Sequence, residues 1–285
     1  MEDTGLSDHP RLRDIVRPIL VSLVALAVVA CAMAAKGWHV GTIALGGILV
    51  LLSALLLIQV HKAVSHLHSR SSTIEQAACE AERHYISVLR RIVALSDARD
   101  RYFDGHSLRV GKMASQLSRR LGLDERTCEL MELAGELHDL GMLAIPDRLW
   151  NQRAKMDGAA FSTIKQHCDI AFEMLAPLRS LAPVLPAIRH HHERMNGTGY
   201  PQGLAGEKVP LEARILAVAD TYDALTHDRP HRTAISSSSA VEELRRCCPS
   251  GFDPLCVEAL AEQVGAAPAA LEQPVAAASN LVVCC

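Results

Sequence analysis

Five histidines and two aspartates carry the chemistry in this chain: His106, His138, Asp139, His167, His191, His192 and Asp220. They recur at intervals of about one helix and its connection, each in an apolar setting. His106 shares helical spacing with Val110, Met113, Ala114 and Leu117, and His138 with Met131, Ala134 and Gly135. His167 falls on the face of Ile164, Ala171 and Met174; His191 and His192 continue that of Val184 and Ile188; Asp220 follows Leu216 by one turn. The i, i+3, i+4, i+7 geometry points these side chains into a core. One histidine so placed reads as an ordinary core residue. Seven buried polar groups without partners are costly, and coordination to cations removes the cost. Imidazole with carboxylate suits iron, manganese or zinc better than magnesium or calcium. No cysteine stands at a matching position, so thiolate zinc chemistry is not expected. The donors outnumber what one ion uses, which predicts two divalent transition-metal ions sharing a bridging carboxylate. Such a pair, roughly 3.5–4 Å apart, activates water and clamps a phosphoryl group. The chemistry expected is metal-assisted phosphoester hydrolysis.

Helices must position these groups. Apolar residues make up 49% of the chain and aromatics only 4%, a balance that favours helix over sheet. Residues 98–263 read as helical segments with Gly/Pro punctuation and no strand pattern, an all-α bundle. A net charge of −3 argues against a nucleic-acid polymer as partner. Nine cysteines without a CxxC pair fit a reducing cytosol.

The first 60 residues differ in kind. After an N-terminal cytoplasmic segment, 1–14, residues 15–60 hold two apolar stretches, Ile15–Ala35 and Val40–Val60, joined by Lys36–His39. Each is about twenty residues, enough to cross a hydrocarbon core about 30 Å thick, so a transmembrane hairpin in a lipid bilayer is expected. A cleaved signal peptide fits poorly, because a second full stretch follows at once. Arg11, Arg13 and Arg17 at one side and Lys62 and Arg70 at the other, against Lys36 alone in the loop, put both ends in the cytoplasm. Residues 61–97 carry helical apolar spacing at Ile86, Leu89 and Val93, with a break expected near Ser69, Ser71 and Ser72. This linker helix reads as a spacer or as the seam of a homodimer. Residues 264–285 are an Ala/Pro-rich tail whose Cys284–Cys285 ending lacks the prenylation pattern.

Six motifs stand in order: HSLRV, HDLGMLAIPD, the histidine of IKQHCDIAFEML, HHERMNGTGYPQGL, ADTYDALTHDRPHR and SGFDP. Together they resemble the HD-GYP family, a branch of the HD-domain metal phosphohydrolases, over residues 98–263. The resemblance implies an HD-type helical bundle with a binuclear metal centre, and hydrolysis of cyclic di-GMP to the linear dinucleotide or GMP at a bacterial inner membrane. It implies His106, His138, Asp139, His167, His191, His192 and Asp220 as ligands, with Asp139 bridging two ions, most naturally iron or manganese. It further implies Tyr200, Arg229 and Arg232 as substrate contacts and Asp223 as a group orienting a ligand or leaving group. Three positions depart from the family. Met142 stands where lysine is usual and removes a cation from the scissile phosphate, Asn196 stands where aspartate is commoner, and Tyr102 stands where some members carry a glutamate for a third metal. A slow enzyme is the reading these departures favour; an idle cyclic di-GMP receptor and a hydrolase of another cyclic dinucleotide are the alternatives.

Overall fold

The computed structural model describes residues 40–146, 158–229 and 232–267, with isolated positions between 21 and 35 and at 149. It divides into two units, Met1–Glu80 and Ala81–Cys285. Most of the first expected span lies outside the described residues, as do segment 1–14 and most of the tail.

In the first unit the second apolar stretch is helical, the beginning of α1 (Val40–Asp97). Leu45, Ile48, Leu52, Leu55 and Leu56 are exposed, while Val50, Leu57 and Val60 on another face of this stretch are half-buried. Its best 18-residue window has a mean hydropathy of 2.2, long and apolar enough by length and composition to cross a membrane. The break expected near Ser69 does not occur. Ser72 Oγ and Thr73 Oγ1 both donate to the Ser69 carbonyl, each at 2.9 Å, so the hydroxyls fold back on the helix instead of competing with it.

The second unit is built from helices alone among the described residues, with isolated bridges Asn196–Ala205 and Arg229–Arg232. Its core begins inside the expected linker, ahead of residue 98: Ile86, Leu89 and Val93 are 7%, 5% and 4% exposed. Apolar spacing in that segment serves the bundle itself. Next come α2 (His106–Arg120) and α3 (Glu125–Leu137), then a 3-10 turn, Leu140–Ala144. Asp124 caps α3, its carboxylate accepting from the Thr127 amide at 3.0 Å. The two helices cross backbone to backbone at Gly111 and Gly135; a Cβ on Gly135 would lie 2.5 Å from the Gly111 Cα.

After α4 (Gly158–Lys165), α5 (His167–Leu175) and the short α6 (Leu185–His190) comes α7 (Leu211–Thr226). Ala213, Ile215, Leu216, Val218 and Ala219 are fully buried, so α7 is apolar on more than one face and occupies the middle of the bundle. Helices α8 (Ser237–Arg246) and α9 (Pro254–Gln263) close it. Asp253 caps α9 through the Leu255 amide and pairs with Arg214 of α7 at 3.1 Å. The SGFDP motif thus fastens the last helix to the central one, and the Ser250 carbonyl accepts from the Asn196 amide at 2.8 Å.

Candidate metal centre

The sequence pattern places the histidines on helix faces; the fold puts them at helix ends. His106 opens α2, His138 caps the C-terminus of α3, His167 opens α5, and His191 follows the last residue of α6. The reason lies in the unpaired carbonyls of a helix's last turn. His138 Nδ1 lies 2.7 Å from the Gly135 carbonyl, His167 Nδ1 2.7 Å from that of Ile164, and His191 Nδ1 2.7 Å from that of Ile188. His106 Nδ1 lies 2.7 Å from Asp223 Oδ2. A carbonyl or carboxylate oxygen can only accept, so Nδ1 carries the proton and Nε2 turns a lone pair toward the centre.

These nitrogens converge around Asp139. Its Oδ2 is 3.4 Å from His138 Nε2 and 3.9 Å from His106 Nε2, while Oδ1 is 3.4 Å from His167 Nε2. Asp220 Oδ1 is 3.5 Å from His106 Nε2 and 4.0 Å from His138 Nε2. The imidazoles of His191 and His192 lie 4.1 Å apart, centre to centre, with His167 5.2 Å from His192. Three groups have donor atoms all within 4.8 Å of one another: His106, His138 and Asp220; His138, Asp139 and His191; and His167, Cys168, His191 and His192. All seven expected donors are therefore brought together. The buried Cys168 thiol lies beside them, with Sγ 3.4 Å from His167 Nε2. It immediately follows His167 and in the sequence reads as part of an apolar face.

His106, His138, His167 and His191 are at most 2% exposed, whereas the Asp139 and Asp220 side chains are 27% and 18% exposed. The site is a buried wall of imidazoles with a carboxylate rim. Burial pushes His191 and His192 well below the usual histidine range, reinforced by neighbouring imidazoles, so both are neutral donors. Burial works the same way on His138, but the Asp139 and Asp220 carboxylates outweigh it and raise that ring to about 10. His138 Nε2 and His191 Nε2 are buried with no hydrogen-bond partner. A buried ring nitrogen without a partner costs free energy, whether it bears a lone pair, as on His191, or a proton drawn by two carboxylates, as on His138; this donor set fits divalent cations.

Around the cluster, Asp223 also takes a two-pronged contact from Arg109, Nε to Oδ1 at 2.6 Å and Nη2 to Oδ2 at 3.0 Å. Burial alone would raise the Asp223 carboxyl, but hydrogen bonds from His106 and Arg109 hold it far below the usual range. The sequence reading named Asp223 and left out Arg109, which stands one helical turn after His106 in HSLRV. The Tyr200 ring lies 4.7 Å from His192 at 30°, and burial pushes its phenol pKa upward. Lys165 Nζ sits 4.5 Å from the Phe161 ring and 5.2 Å from that of Tyr200, another cation missed in the sequence. Arg229 stacks over Phe103 at 4.0 Å; Arg229 Nε and Arg232 Nη1 are buried donors without an acceptor. Met142 lines a cavity of about 200 Å³ together with Asp97, Phe103, Asp139 and Ile164. Asn196 Oδ1 accepts from the Thr198 amide at 3.0 Å, a turn that aspartate makes equally well. Tyr102 is hydrogen-bonded to its neighbour Arg101. Glu193, 2% exposed, accepts from the Gln202 and Leu204 amides at 2.7 and 3.0 Å and so holds the Gly-Tyr-Pro loop against the histidine pair.

The HD domain family model matches residues 87–255, and the chain belongs to the HD-domain family. Its curated relatives bear out the HD-GYP resemblance read from the motifs. One is the cyclic di-GMP phosphodiesterase response regulator RpfG of Xanthomonas campestris pv. campestris, 35% identical over 72% of this chain and 56% of the relative. Another is the 3'3'-cGAMP-specific phosphodiesterase 3 of Vibrio cholerae, 31% identical over 60% of this chain and 37% of the relative. The chain spans about half the length of the curated relatives it matches. Among solved structures, the HDG"Y"P protein Bd1817 from Bdellovibrio bacteriovorus shares the fold, with a TM-score of 0.50 at 20% identity over 65% of this chain and 64% of that one.

Proposed function

We propose that this chain is a metal-dependent phosphodiesterase that hydrolyses cyclic di-GMP to the linear dinucleotide or GMP. Asp139 carries the reading: one oxygen faces His106 and His138 and the other faces His167, the arrangement a carboxylate shared between two cations needs. Two divalent ions, iron or manganese on the imidazole and carboxylate donors, would supply an activated water and withdraw charge from a phosphodiester. His106, His138 and Asp220 would hold one, and His167, His191 and His192 the other. Arg109 and Asp223 fix the His106 ring so that its Nε2 faces inward. Arg229 and Arg232 offer unpartnered guanidinium N–H groups to phosphate or guanine oxygens. The Tyr200 ring would contact the substrate beside His192, and Lys165 brings a cation to the same rim. Met142 brings none, so turnover is slow.

The same site serves 3'3'-cGAMP under a second reading, favoured by the cGAMP-specific relative. A bacterial inner-membrane location, with two spans and a cytoplasmic catalytic domain, belongs to this reading; the apolar first part of α1 supports one span, and the flanking basic residues support the orientation. Dimerisation through residues 61–97 belongs to the same proposal. The test is the full chain in detergent, loaded with manganese or ferrous iron and given cyclic di-GMP and cGAMP separately, with products followed by chromatography. A linear dinucleotide or GMP is expected from cyclic di-GMP. Binding without turnover under either metal would make the protein a receptor, and faster cGAMP cleavage would reassign its substrate.

A further inference from the structure

Cys168 is the one donor in the cluster that the HD-type ligand pattern does not use. Its side chain is fully buried, and Sγ lies 3.4 Å from His167 Nε2. Sγ also falls within 4.8 Å of the donor nitrogens of His191 and His192, so it faces the same point as three imidazoles. One of them, His191, is completely buried with its Nε2 unpartnered. Metal bonds of about 2.3 Å to sulfur and about 2.0–2.1 Å to nitrogen put two neighbouring donors on one ion roughly 3–3.5 Å apart. The observed separation meets that requirement without movement of either side chain. Consecutive helical residues rarely serve one ion. Here His167 is the first residue of α5, with its Nδ1 anchored backward on Ile164, which turns Nε2 across the Cys168 side chain.

We propose that Cys168 is an additional ligand to the ion held by His167, His191, His192 and the shared Asp139 carboxylate, giving that position a mixed nitrogen, oxygen and thiolate donor set. The inference rests on the metal centre proposed above. On coordination the Sγ–H bond breaks, its proton passes to water, and the sulfur donates a lone pair to the cation. A thiolate is a softer donor than carboxylate or imidazole. It shifts this position toward zinc, ferrous iron or cobalt and away from manganese, so the two positions differ in the metal they prefer.

Cobalt(II) substitution of the full chain in detergent tests both layers separately. Visible ligand-field bands report that the ion is bound at all, and a near-ultraviolet sulfur-to-cobalt charge-transfer band reports the thiolate. Wild-type protein is expected to show both. Cys168→Ser is expected to lose the charge-transfer band and keep the ligand-field bands, while Cys256→Ser, in α9 and outside the three donor groups, keeps both. Ligand-field bands without charge transfer in the wild type, or a charge-transfer band that survives Cys168→Ser, overturn the ligand assignment and leave the metal centre standing. Absence of ligand-field bands overturns both. Should the serine variant not fold, X-ray absorption on the wild-type cobalt protein decides: a sulfur shell at about 2.3 Å supports the assignment, and a purely nitrogen and oxygen shell rejects it.

Discussion

Asp223 acts on the centre through another side chain. Its carboxylate holds the His106 Nδ1 proton at 2.7 Å and is held in turn by Arg109. Partners of this kind set the tautomer and direction of a ligand, and their loss commonly costs 10–100-fold in metal affinity. Asp223→Asn is therefore expected to weaken binding at the His106, His138 and Asp220 group by about that factor, measured by titration calorimetry, with helical content unchanged by circular dichroism. Met142 makes the opposite case. It lines the cavity beside Asp139 with no charge to offer a phosphate. One charged contact to a transition state is worth about 10²–10³ in rate, so Met142→Lys should raise turnover of cyclic di-GMP by up to that amount. An unchanged rate would mean that Lys165 or the arginines already fill the role. The convergence of the seven side chains was legible in the sequence because few residue types bind metals and these recur on an ordered set of apolar faces. Cys168, Arg109 and Lys165 were not. Each stands within three residues of a ligand, and only the local backbone decides whether such a neighbour points in or away.

Helices were legible as elements, from apolar spacing and Gly/Pro punctuation. Their ends were not. Periodicity put His138 and His191 within helices, yet they stand where helices stop, because the freed carbonyls there are the acceptors their rings require. The serines near 69 read as a break, although a hydroxyl returned to its own helix interrupts nothing. The crossing of α2 and α3 yields a prediction at this scale. A methyl on Gly135 meets the Gly111 backbone, which belongs to the facing helix and cannot swing away as a side chain could. Gly135→Ala is expected to destabilise the bundle by about 1–3 kcal/mol, read as a lower urea midpoint at constant slope.

Considered whole, the second unit draws its donors from α2, the end of α3, α5, the turn after α6, and α7. No short peptide of this chain contains either donor group, so cations held there would bind the folded bundle and not the unfolded chain. An ion at a hundredfold excess over its Kd stabilises such a fold by about 2.7 kcal/mol. For a domain of this size that is about 5–10 °C in Tm. Removal of metal by a chelator should lower the melting temperature by that amount, and added manganese or zinc should restore it; a Tm indifferent to both would count against a structural ion.

The glycine crossing has one more effect. Because Gly111 and Gly135 meet main chain to main chain, no rotamer separates α2 from α3. The spacing between the His106 end of one helix and the His138 end of the other is gauged by covalent backbone dimensions. Trimming a leucine elsewhere in the core makes the bundle easier to melt, but it leaves that gauge, and with it the choice of ion, where it was.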